Sequence, residues 1–291
     1  MNRPARTSIL DRLGEIRSLP TLPQVVARVM ERVRDEKSST ADIAVVIADD
    51  PALTSAVLKV VNSAYYGTAG KEIASVAQAV TRLGIQEVGR ICTAVGIARV
   101  FGNRSKTIDL HAFWRHSITV AYTTRVLGEY AGGIDRFEMD HSYTAGILHD
   151  VGTFVLERHF ADAYAETRAL MESDHLTASD AERRLLDITH AEIGGYLLNR
   201  WRLPEPVVDA VIYHHEPDLA PDRNRRLAEL VHIADFICNN LGATSTPGMI
   251  RESSSIGAWD DLALRMEDVP DIIRDVQEEA KRSEVFAVLA A

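Results

Sequence analysis

Residues 143–152 read Tyr-Thr-Ala-Gly-Ile-Leu-His-Asp-Val-Gly, an apolar helical stretch that ends in an adjacent histidine and aspartate. Imidazole and carboxylate groups are ligands for Zn, Fe or Mn at hydrolytic sites. His149 can bind one ion, whereas the carboxylate of Asp150 can bridge two. Because a buried carboxylate without a partner is costly, a hydrogen-bonded pair without a metal is the alternative. Gly152 permits the close approach of another backbone segment, so the stretch favours a helix end that faces a metal.

Five further candidate ligands lie on both sides of this pair. In chain order they are His116, His190, His214, His215 and Asp235. Asp235 belongs to an otherwise apolar helical segment, where an acid needs a cation or hydrogen-bond donors. His232 lies three residues earlier on the same helix face, so a hydrogen bond between these two side chains is the alternative to metal binding. We expect the metal candidates His116, His149, Asp150 and Asp235 to converge within a few ångströms, whether or not an ion occupies the site, because the acids would otherwise be buried at a cost.

The remaining candidate ligands could complete a second metal position. Thr189 and Glu192 form a capping box, which places His190 in the first turn of a helix. His214 and His215 are adjacent and therefore point about 100° apart around a helix axis. One of them could instead bond the carbonyl groups at the end of its own helix. The sequence therefore predicts one or two divalent ions, with Fe, Mn, Zn and Mg as the candidates.

The other histidines and both cysteines are expected to have no part in the site. Four histidines belong to polar or inter-helix segments and are predicted to lie on the surface: His111, His141, His159 and His175. Cys92 and Cys238 lie within apolar helical patterns, which predicts buried free thiols.

The composition is that of an ordinary globular protein. Of 291 residues, 46% are hydrophobic and 25% are charged, enough for a sizeable core. The net charge of −10 argues against direct binding of nucleic acid. No apolar run reaches the roughly 18 residues that a transmembrane helix needs, and the first residues lack the apolar stretch of a secretion signal. We therefore expect a cytoplasmic protein that is not in a membrane.

Apolar residues recur with a helical period along the whole chain, which predicts an all-α fold. Asp50 followed by Pro51 is a strong helix start, and the apolar stripe from there stops at Gly67. Short helices are expected near residues 25–33, 76–83 and from about 86 onward. The later helices are predicted at 113–130, 143–156, 161–170, 182–186, 190–201, 206–215, 227–241 and about 269–289. The stretch 244–256 is rich in Ser, Thr, Gly and Pro, which predicts a loop.

A polar break at residues 102–109 separates two helical lobes. We place a first lobe at residues 1–105 and a second lobe, with all the candidate ligands, at residues 106–245. Residues 246–291 are expected to form a loop and a C-terminal helix that packs back on the core.

Taken together, these motifs resemble the HDOD domain family, a branch of the HD superfamily of metal-dependent phosphohydrolases. The resemblance covers about residues 16–241 and implies an all-α HDOD-type fold, with an N-terminal helical lobe joined to an HD-domain-like lobe. It also implies a role in bacterial signal transduction. The motifs that carry it are Leu19-Pro20-Thr21-Leu22-Pro23, Asp50-Pro51-Ala52-Leu53, Val60-Val61-Asn62-Ser63-Ala64-Tyr65-Tyr66-Gly67, Ala79-Val80-Thr81-Arg82-Leu83-Gly84, Phe113-Trp114-Arg115-His116-Ser117, Ala145-Gly146-Ile147-Leu148-His149-Asp150-Val151-Gly152, Thr189-His190-Ala191-Glu192-Ile193-Gly194 and Tyr213-His214-His215-Glu216-Pro217.

Comparison with the HD-GYP branch, which hydrolyses cyclic di-GMP, reveals three departures. The lysine that follows the His-Asp pair in that branch is replaced here by Thr153. The Gly-Tyr-Pro signature after the His-His pair is replaced by Glu216-Pro217-Asp218-Leu219. The acid that precedes the first metal histidine in that branch would fall at Ala112. The resemblance therefore implies weakened phosphate capture even where the metal ligands are kept.

Three functions follow from this pattern. The leading hypothesis is a non-catalytic regulatory module that binds a signalling protein partner, around Asn62 and Tyr65, or a small anionic ligand such as a nucleotide. The alternative is a metal-dependent phosphohydrolase or phosphodiesterase acting on a nucleotide or cyclic dinucleotide, in which a metal-bound water beside His149 and Asp150 attacks phosphorus. The third is a helical scaffold whose histidines bind no ion. The sequence leaves the oligomeric state open.

Overall fold

A computed structural model of the protein describes residues 6–16, 18–66, 72–102, 105–242 and 254–290. Within these ranges the regular structure is entirely helical, so the predicted all-α fold is confirmed. Gly67 and most of the predicted loop at 244–256 lie outside the described residues. No helix in the described ranges combines the length and the apolar character that crossing a membrane requires.

The described residues form sixteen α-helices, with short 3-10 helices at Pro217–Leu219 and Met266–Asp268. The α-helices are α1 (Arg6–Glu15), α2 (Gln24–Arg34), α3 (Thr40–Ala48), α4 (Pro51–Val61), α5 (Val76–Leu83), α6 (Ile85–Phe101), α7 (Leu110–Tyr130), α8 (Arg136–Leu148), α9 (Gly152–His159), α10 (Ala161–Asp174), α11 (Ala178–Leu186), α12 (His190–Arg200), α13 (Glu205–Tyr213), α14 (Arg225–Asn240), α15 (Ile256–Asp261) and α16 (Val269–Ala290).

Capping side chains determine where the key helices begin. The Asp50 carboxylate accepts hydrogen bonds of 2.9 Å from the backbone N–H groups of both Ala52 and Leu53, at the start of α4. At the start of α12, Thr189 and Glu192 form the complete predicted capping box. Each such cap typically contributes about 1 kcal/mol to stability. His190 is therefore the first residue of α12, as the sequence predicts.

The structure differs from the sequence prediction at several helices. The predicted helix at 143–156 is divided into α8 and α9, because the chain turns at residues 149–151. Three helices were not predicted: α1, α3 and α15. The start of α3 carries a capping box formed by Ser39 and Asp42, which is a local signal that the apolar pattern alone does not reveal.

The chain folds as two compact units. The larger unit contains the described residues up to Leu19 together with those of Ser105–Glu279, and the smaller unit contains the described residues of Pro20–Arg104 together with those from Ala280 onward. The division at 104/105 lies close to the predicted lobe boundary after residue 105. In contrast to the prediction, the N-terminal segment groups with the larger unit. The physical reason is that Ile9 and Leu13 of α1 are fully buried, while the Arg12 guanidinium lies 4.6 Å from the centre of the Phe160 ring.

The core of the larger unit surrounds α7, which packs against α8 and α14. Trp114 and Tyr122 of α7 are fully buried. A β-carbon on Gly146 would lie 2.6 Å from the Ala121 α-carbon, so this glycine allows α7 and α8 to pack in close contact. This arrangement brings the middle of α7 next to the chain that follows α8.

The remaining histidines follow the surface prediction only in part, whereas the cysteines follow theirs. Cys92 and Cys238 are buried free thiols, as predicted. His111 and His175 are exposed and His159 is half-buried. The surface prediction was wrong for His141, which is buried because its Nδ1 lies 2.6 Å from the Phe137 carbonyl oxygen and its ring packs on that of Phe137.

Candidate metal centre

All seven candidate ligands meet in the larger unit, and each comes from a helix or from the end of one. His116 lies in the middle of α7, and Asp235 lies in α14. The other five lie where helices begin or end: His149 and Asp150 after α8, His190 at the start of α12, and His214 and His215 after α13. Helix ends leave backbone groups without partners inside the helix, so a polar cluster at these points can be satisfied locally.

The first cluster comprises His116, His149, Asp150 and Asp235. The Nε2 atom of His116 lies 3.2 Å from His149 Nε2 and 3.0 Å from Asp235 Oδ1. Asp150 Oδ2 lies 3.3 Å from His149 Nε2 and 3.7 Å from His116 Nε2. The four residues therefore converge: His116, His149 and Asp150 offer ligand atoms within 4.8 Å of one another, and Asp235 Oδ1 lies within 3.7 Å of Nε2 of both histidines.

The second cluster comprises Asp150, His190, His214 and His215, whose ligand atoms all lie within 4.8 Å of one another. Asp150 Oδ1 lies 3.2 Å from His190 Nε2 and 3.9 Å from His214 Nε2. The Nε2 atoms of His190 and His215 are 2.9 Å apart. Asp150 thus turns one oxygen toward each cluster, which is the geometry of a bridging carboxylate.

Hydrogen bonds on the far side of the rings orient the histidines. The Nδ1 atom of His149 lies 2.7 Å from the Gly146 carbonyl oxygen, and that of His214 lies 2.7 Å from the Val211 carbonyl oxygen. Because a carbonyl oxygen only accepts, each Nδ1 must carry the proton. The Nε2 lone pairs of these rings therefore face the clusters, as histidine metal ligands require.

The residues fit a divalent metal. His214 Nε2 is buried and has no hydrogen-bond partner among the described residues, and an unpaired buried polar atom is costly. Two pairs of Nε2 atoms, His116 with His149 and His190 with His215, face each other at 3.2 and 2.9 Å. Each pair is held together either by a proton on one of the two rings or by a cation between them. Ligands bound at about 2.0–2.2 Å to one ion are themselves roughly 3 Å apart, which matches these distances.

Electrostatics keep both carboxylates ionised. Burial alone would raise the pKa of Asp150, but His149 and His190 overcome it and hold that pKa well below its usual value. Burial also opposes ionisation of Asp235, yet the hydrogen bond and charge of His116 lower its pKa. Each acid is therefore present as the carboxylate that binds metals.

The histidines divide by their surroundings. Burial, together with the neighbouring His215, holds the pKa of His214 well below its usual value, so this ring is neutral. Burial alone would lower the pKa of His190, but the carboxylates of Glu182 and Asp150 outweigh it and raise that pKa well above its usual value. The pKa of His149 is likewise raised by Asp150 against the effect of burial. Where no metal is bound, protons supply the positive charge that the carboxylates favour.

The ring of His232 does not bond Asp235, and the ring of His214 both caps its own helix and faces the second cluster. His232 Nδ1 lies 2.7 Å from the His214 carbonyl oxygen, and its Nε2 accepts a hydrogen bond from the Ser255 N–H. Both of its ring nitrogens are thus engaged away from Asp235, which faces His116. His214 does bond a carbonyl of its own helix through Nδ1, but its Nε2 faces Asp150, so one ring does both.

Sequence reasoning missed Glu182, a buried residue of α11. Its Oε2 accepts hydrogen bonds from the His190 backbone N–H at 2.6 Å and lies 2.7 Å from His190 Nδ1. An acid on a short polar helix gives no sequence signal for such a role, since acids on helices are usually exposed.

The sequence profile of the HDOD domain family matches residues 19–217. An uncharacterized protein of Treponema pallidum (strain Nichols) is 28% identical over 229 residues, which are 79% of this chain and 43% of that relative. The chain thus spans less than half the length of that curated relative. A solved structure of a candidate phosphohydrolase from Shewanella amazonensis SB2B has a TM-score of 0.75 at 22% identity and covers 97% of this chain and 98% of its own. The solved structure of a candidate signal transduction protein from Marinobacter aquaeolei VT8 has a TM-score of 0.76 at 24% identity. The match covers 100% of this chain and 61% of that protein. At these identities the two structures establish the shared fold, whereas the profile covers most of the chain, and the chain therefore belongs to the HDOD domain family.

Proposed function

We propose that the protein is a regulatory module of signal transduction whose larger unit binds one or two divalent ions and which captures a protein partner or a small anionic ligand. The observation that supports this most is the convergence of histidine and aspartate ligands in two clusters that share Asp150, combined with a neutral residue, Thr153, which is half-buried at the start of α9. The set favours a bound metal. The missing ammonium group favours binding over rapid phosphodiester hydrolysis.

The two clusters divide the ligands between two ions. The first ion would be held by His116, His149, Asp235 and Asp150 Oδ2, and the second by His190, His214, His215 and Asp150 Oδ1. A donor set rich in imidazole suits Fe, Mn or Zn better than Mg, which prefers oxygen ligands. Bound there, such ions would polarise a phosphoryl group and make water more acidic.

The charges of the loaded centre would attract an anion. Two divalent ions outweigh the carboxylates of Asp150 and Asp235, although the whole chain carries a net charge of −10. The side chains of these two acids are 13% and 12% exposed, whereas the rings of His116 and His149 are almost completely buried. The carboxylates therefore keep the larger share of the limited solvent contact of the centre, and an anionic ligand could approach from that side.

The second candidate function is a metal-dependent phosphohydrolase acting on a nucleotide or a cyclic dinucleotide. The bridging position of Asp150 favours it, because paired ions that share a carboxylate are common in enzymes that cleave phosphate esters. In that reaction Asp150 and His149 would hold and orient the ions. His214, which is neutral, would keep its lone pair on the metal rather than act as a proton donor.

Metal analysis combined with a hydrolysis assay tests both functions. The purified protein would be loaded with Mn(II), Fe(II) or Zn(II), its bound metal measured by mass spectrometry, and its activity tested on cyclic di-GMP and on a nitrophenyl phosphodiester. Bound metal with negligible turnover supports the regulatory function. Turnover that His149→Ala abolishes would favour the phosphohydrolase, and the absence of bound metal under all three conditions would refute the metal centre.

A further inference from the structure

The two clusters differ in the negative charge that they offer. The first cluster contains two carboxylates, Asp150 and Asp235. The second cluster contains three histidines and shares the single carboxylate of Asp150. Since the affinity for a divalent ion rises with the charge of its ligands, a further source of negative charge behind the second cluster would strengthen its hold on an ion.

Glu182 lies in the position to supply that charge. Its side chain is buried. The Glu182 Oε2 atom accepts a hydrogen bond of 2.6 Å from the His190 backbone N–H and lies 2.7 Å from His190 Nδ1. On the other side of the ring, His190 Nε2 lies 3.2 Å from Asp150 Oδ1. The His190 imidazole thus lies between the carboxylates of Glu182 and Asp150. Its orientation is held because the backbone N–H and Nδ1 of His190 both contact Glu182 Oε2.

This arrangement differs from that of the other oriented histidines. The Nδ1 atoms of His149 and His214 bond neutral backbone carbonyl groups, of Gly146 and Val211. The Nδ1 atom of His190 faces a full negative charge. A carboxylate behind a ligating imidazole fixes its tautomer and makes the lone pair on the opposite nitrogen more basic.

The local chain path places the two residues together. Glu182 is the middle residue of α11, which ends at Leu186, and α12 begins at His190. Asp187 ends α11 in the left-handed region, with φ of 55°, and only three residues separate the two helices. The short link between the helices allows Glu182 of α11 to contact His190 at the start of α12.

We propose that Glu182 is a positioning residue that sets the affinity of the second cluster for a divalent ion, and so decides whether the centre holds one ion or two. This inference rests on the metal centre proposed above. Loss of a carboxylate behind a ligating histidine typically weakens metal binding by about 10–100-fold. The first cluster does not include His190 and should keep its affinity.

The test compares the number of bound ions in the full-length protein and its Glu182→Gln variant. Glutamine keeps the shape and one acceptor oxygen but removes the charge. With Mn(II), calorimetric titration should give two ions for the original protein and one tight ion for the variant, with the second weakened about 10–100-fold. Electron paramagnetic resonance should change from the signal of a coupled pair to that of an isolated ion.

Two further variants serve as controls. Glu192→Gln changes a carboxylate that caps the same helix start through Thr189, and it should leave two ions bound. Glu182→Asp keeps the charge and should retain more of the second ion than Glu182→Gln. Circular dichroism would verify that each variant is folded.

Each outcome has a distinct meaning. Two ions with unchanged affinity in Glu182→Gln would overturn the role of Glu182 and leave the metal centre standing. The role of Glu182 is also overturned if the original protein binds one ion, or if Glu182→Asp and Glu182→Gln lose the second ion equally, since charge would then not be the cause. Failure of the original protein to bind Mn(II) at all would overturn the metal centre and this inference together.

Discussion

Gly152 lies directly against the backbone of His190. A β-carbon at residue 152 would lie 1.9 Å from the His190 carbonyl oxygen and 2.7 Å from the backbone nitrogen of Gly194. The first residue of α9 and the first turn of α12 therefore touch through bare backbone. This contact determines how far His190 lies from Asp150, two residues before Gly152.

Gly152→Ala should destabilise the protein and disturb the second cluster. The added methyl group meets backbone atoms, which cannot move aside as a flexible side chain can, and overpacking of this kind costs about 1–3 kcal/mol. Chemical denaturation and the number of bound Mn(II) ions would measure both effects. Gly14→Ala is the matched control, because its β-carbon would meet only the Tyr196 hydroxyl at 3.7 Å. Equal stability of the two variants would contradict the close contact.

Asp150→Ala should abolish binding of both ions, since one oxygen of this carboxylate faces each cluster. Asp235→Ala should remove only the first ion, because Asp235 faces His116 and His149. Metal analysis after dialysis would count the ions. A second ion retained by Asp150→Ala would argue against the bridging role.

Metal should also raise the melting temperature of the original protein, since a metal ion at 100 times its dissociation constant stabilises the folded state by about 2.7 kcal/mol.

Cyclic di-GMP should be hydrolysed slowly or not at all. Negative charge grows on the leaving oxygen during the reaction, and Thr153 offers a neutral hydroxyl where catalytic relatives in the HD-GYP branch place a lysine. Loss of one such contact typically lowers the rate by about 10²–10³-fold. Product formation with Mn(II) or Fe(II) would be followed by chromatography, with an HD-GYP enzyme as the positive control. Comparable rates in the two proteins would contradict this prediction.

Asn62→Ala should destabilise the smaller unit rather than remove a partner contact. The Asn62 side-chain amide donates to the Leu58 and Ile73 carbonyl oxygens, and its oxygen accepts from the Ile73 N–H at 2.7 Å. Leaving these groups unpaired should cost about 1–3 kcal/mol. Thermal unfolding would measure the loss.

Tyr65 is the better candidate for a partner contact in this region. It is 38% exposed, and its hydroxyl accepts a hydrogen bond of 2.8 Å from Arg282. Tyr65→Ala should therefore alter stability less than Asn62→Ala. The reverse order would show that Asn62 is not the structural residue of the pair.

Glu229 should make stability fall as the pH rises. This residue is buried in α14, close to the Asp261 carboxylate. Burial, together with the nearby Asp261 carboxylate, raises its pKa from 4.5 to about 7. The native state therefore binds more protons than the unfolded state between these values. The stabilisation is complete below pH 4.5 and is lost as the pH passes 7.

Glu229→Gln should flatten this part of the pH profile, because glutamine does not titrate. Denaturation at pH 5 and pH 8 would measure the difference, and the original protein should lose more stability between them than the variant. Glu31→Gln, at an exposed position on α2, is the control. Identical profiles for the original protein and Glu229→Gln would exclude the raised pKa.

Much of the local structure could be predicted from the sequence because its causes lie within a few residues. Asp50 caps α4 and Thr189 caps α12 through hydrogen bonds that span three residues or fewer. The same reasoning placed His190 at a helix start. The order of the candidate ligands, through their resemblance to HD proteins, indicated which side chains should meet.

Only the tertiary structure decided how those side chains meet. The division of the Asp150 oxygens between two clusters depends on α7, α12 and α14, whose ligands are separated by many tens of residues along the chain. Glu182 became part of the centre because a turn at Asp187 brings α11 against His190, and no periodic pattern reveals that contact. Helix caps and apolar stripes act over one or two turns, whereas the direction in which a carboxylate oxygen points is determined by the packing of distant helices.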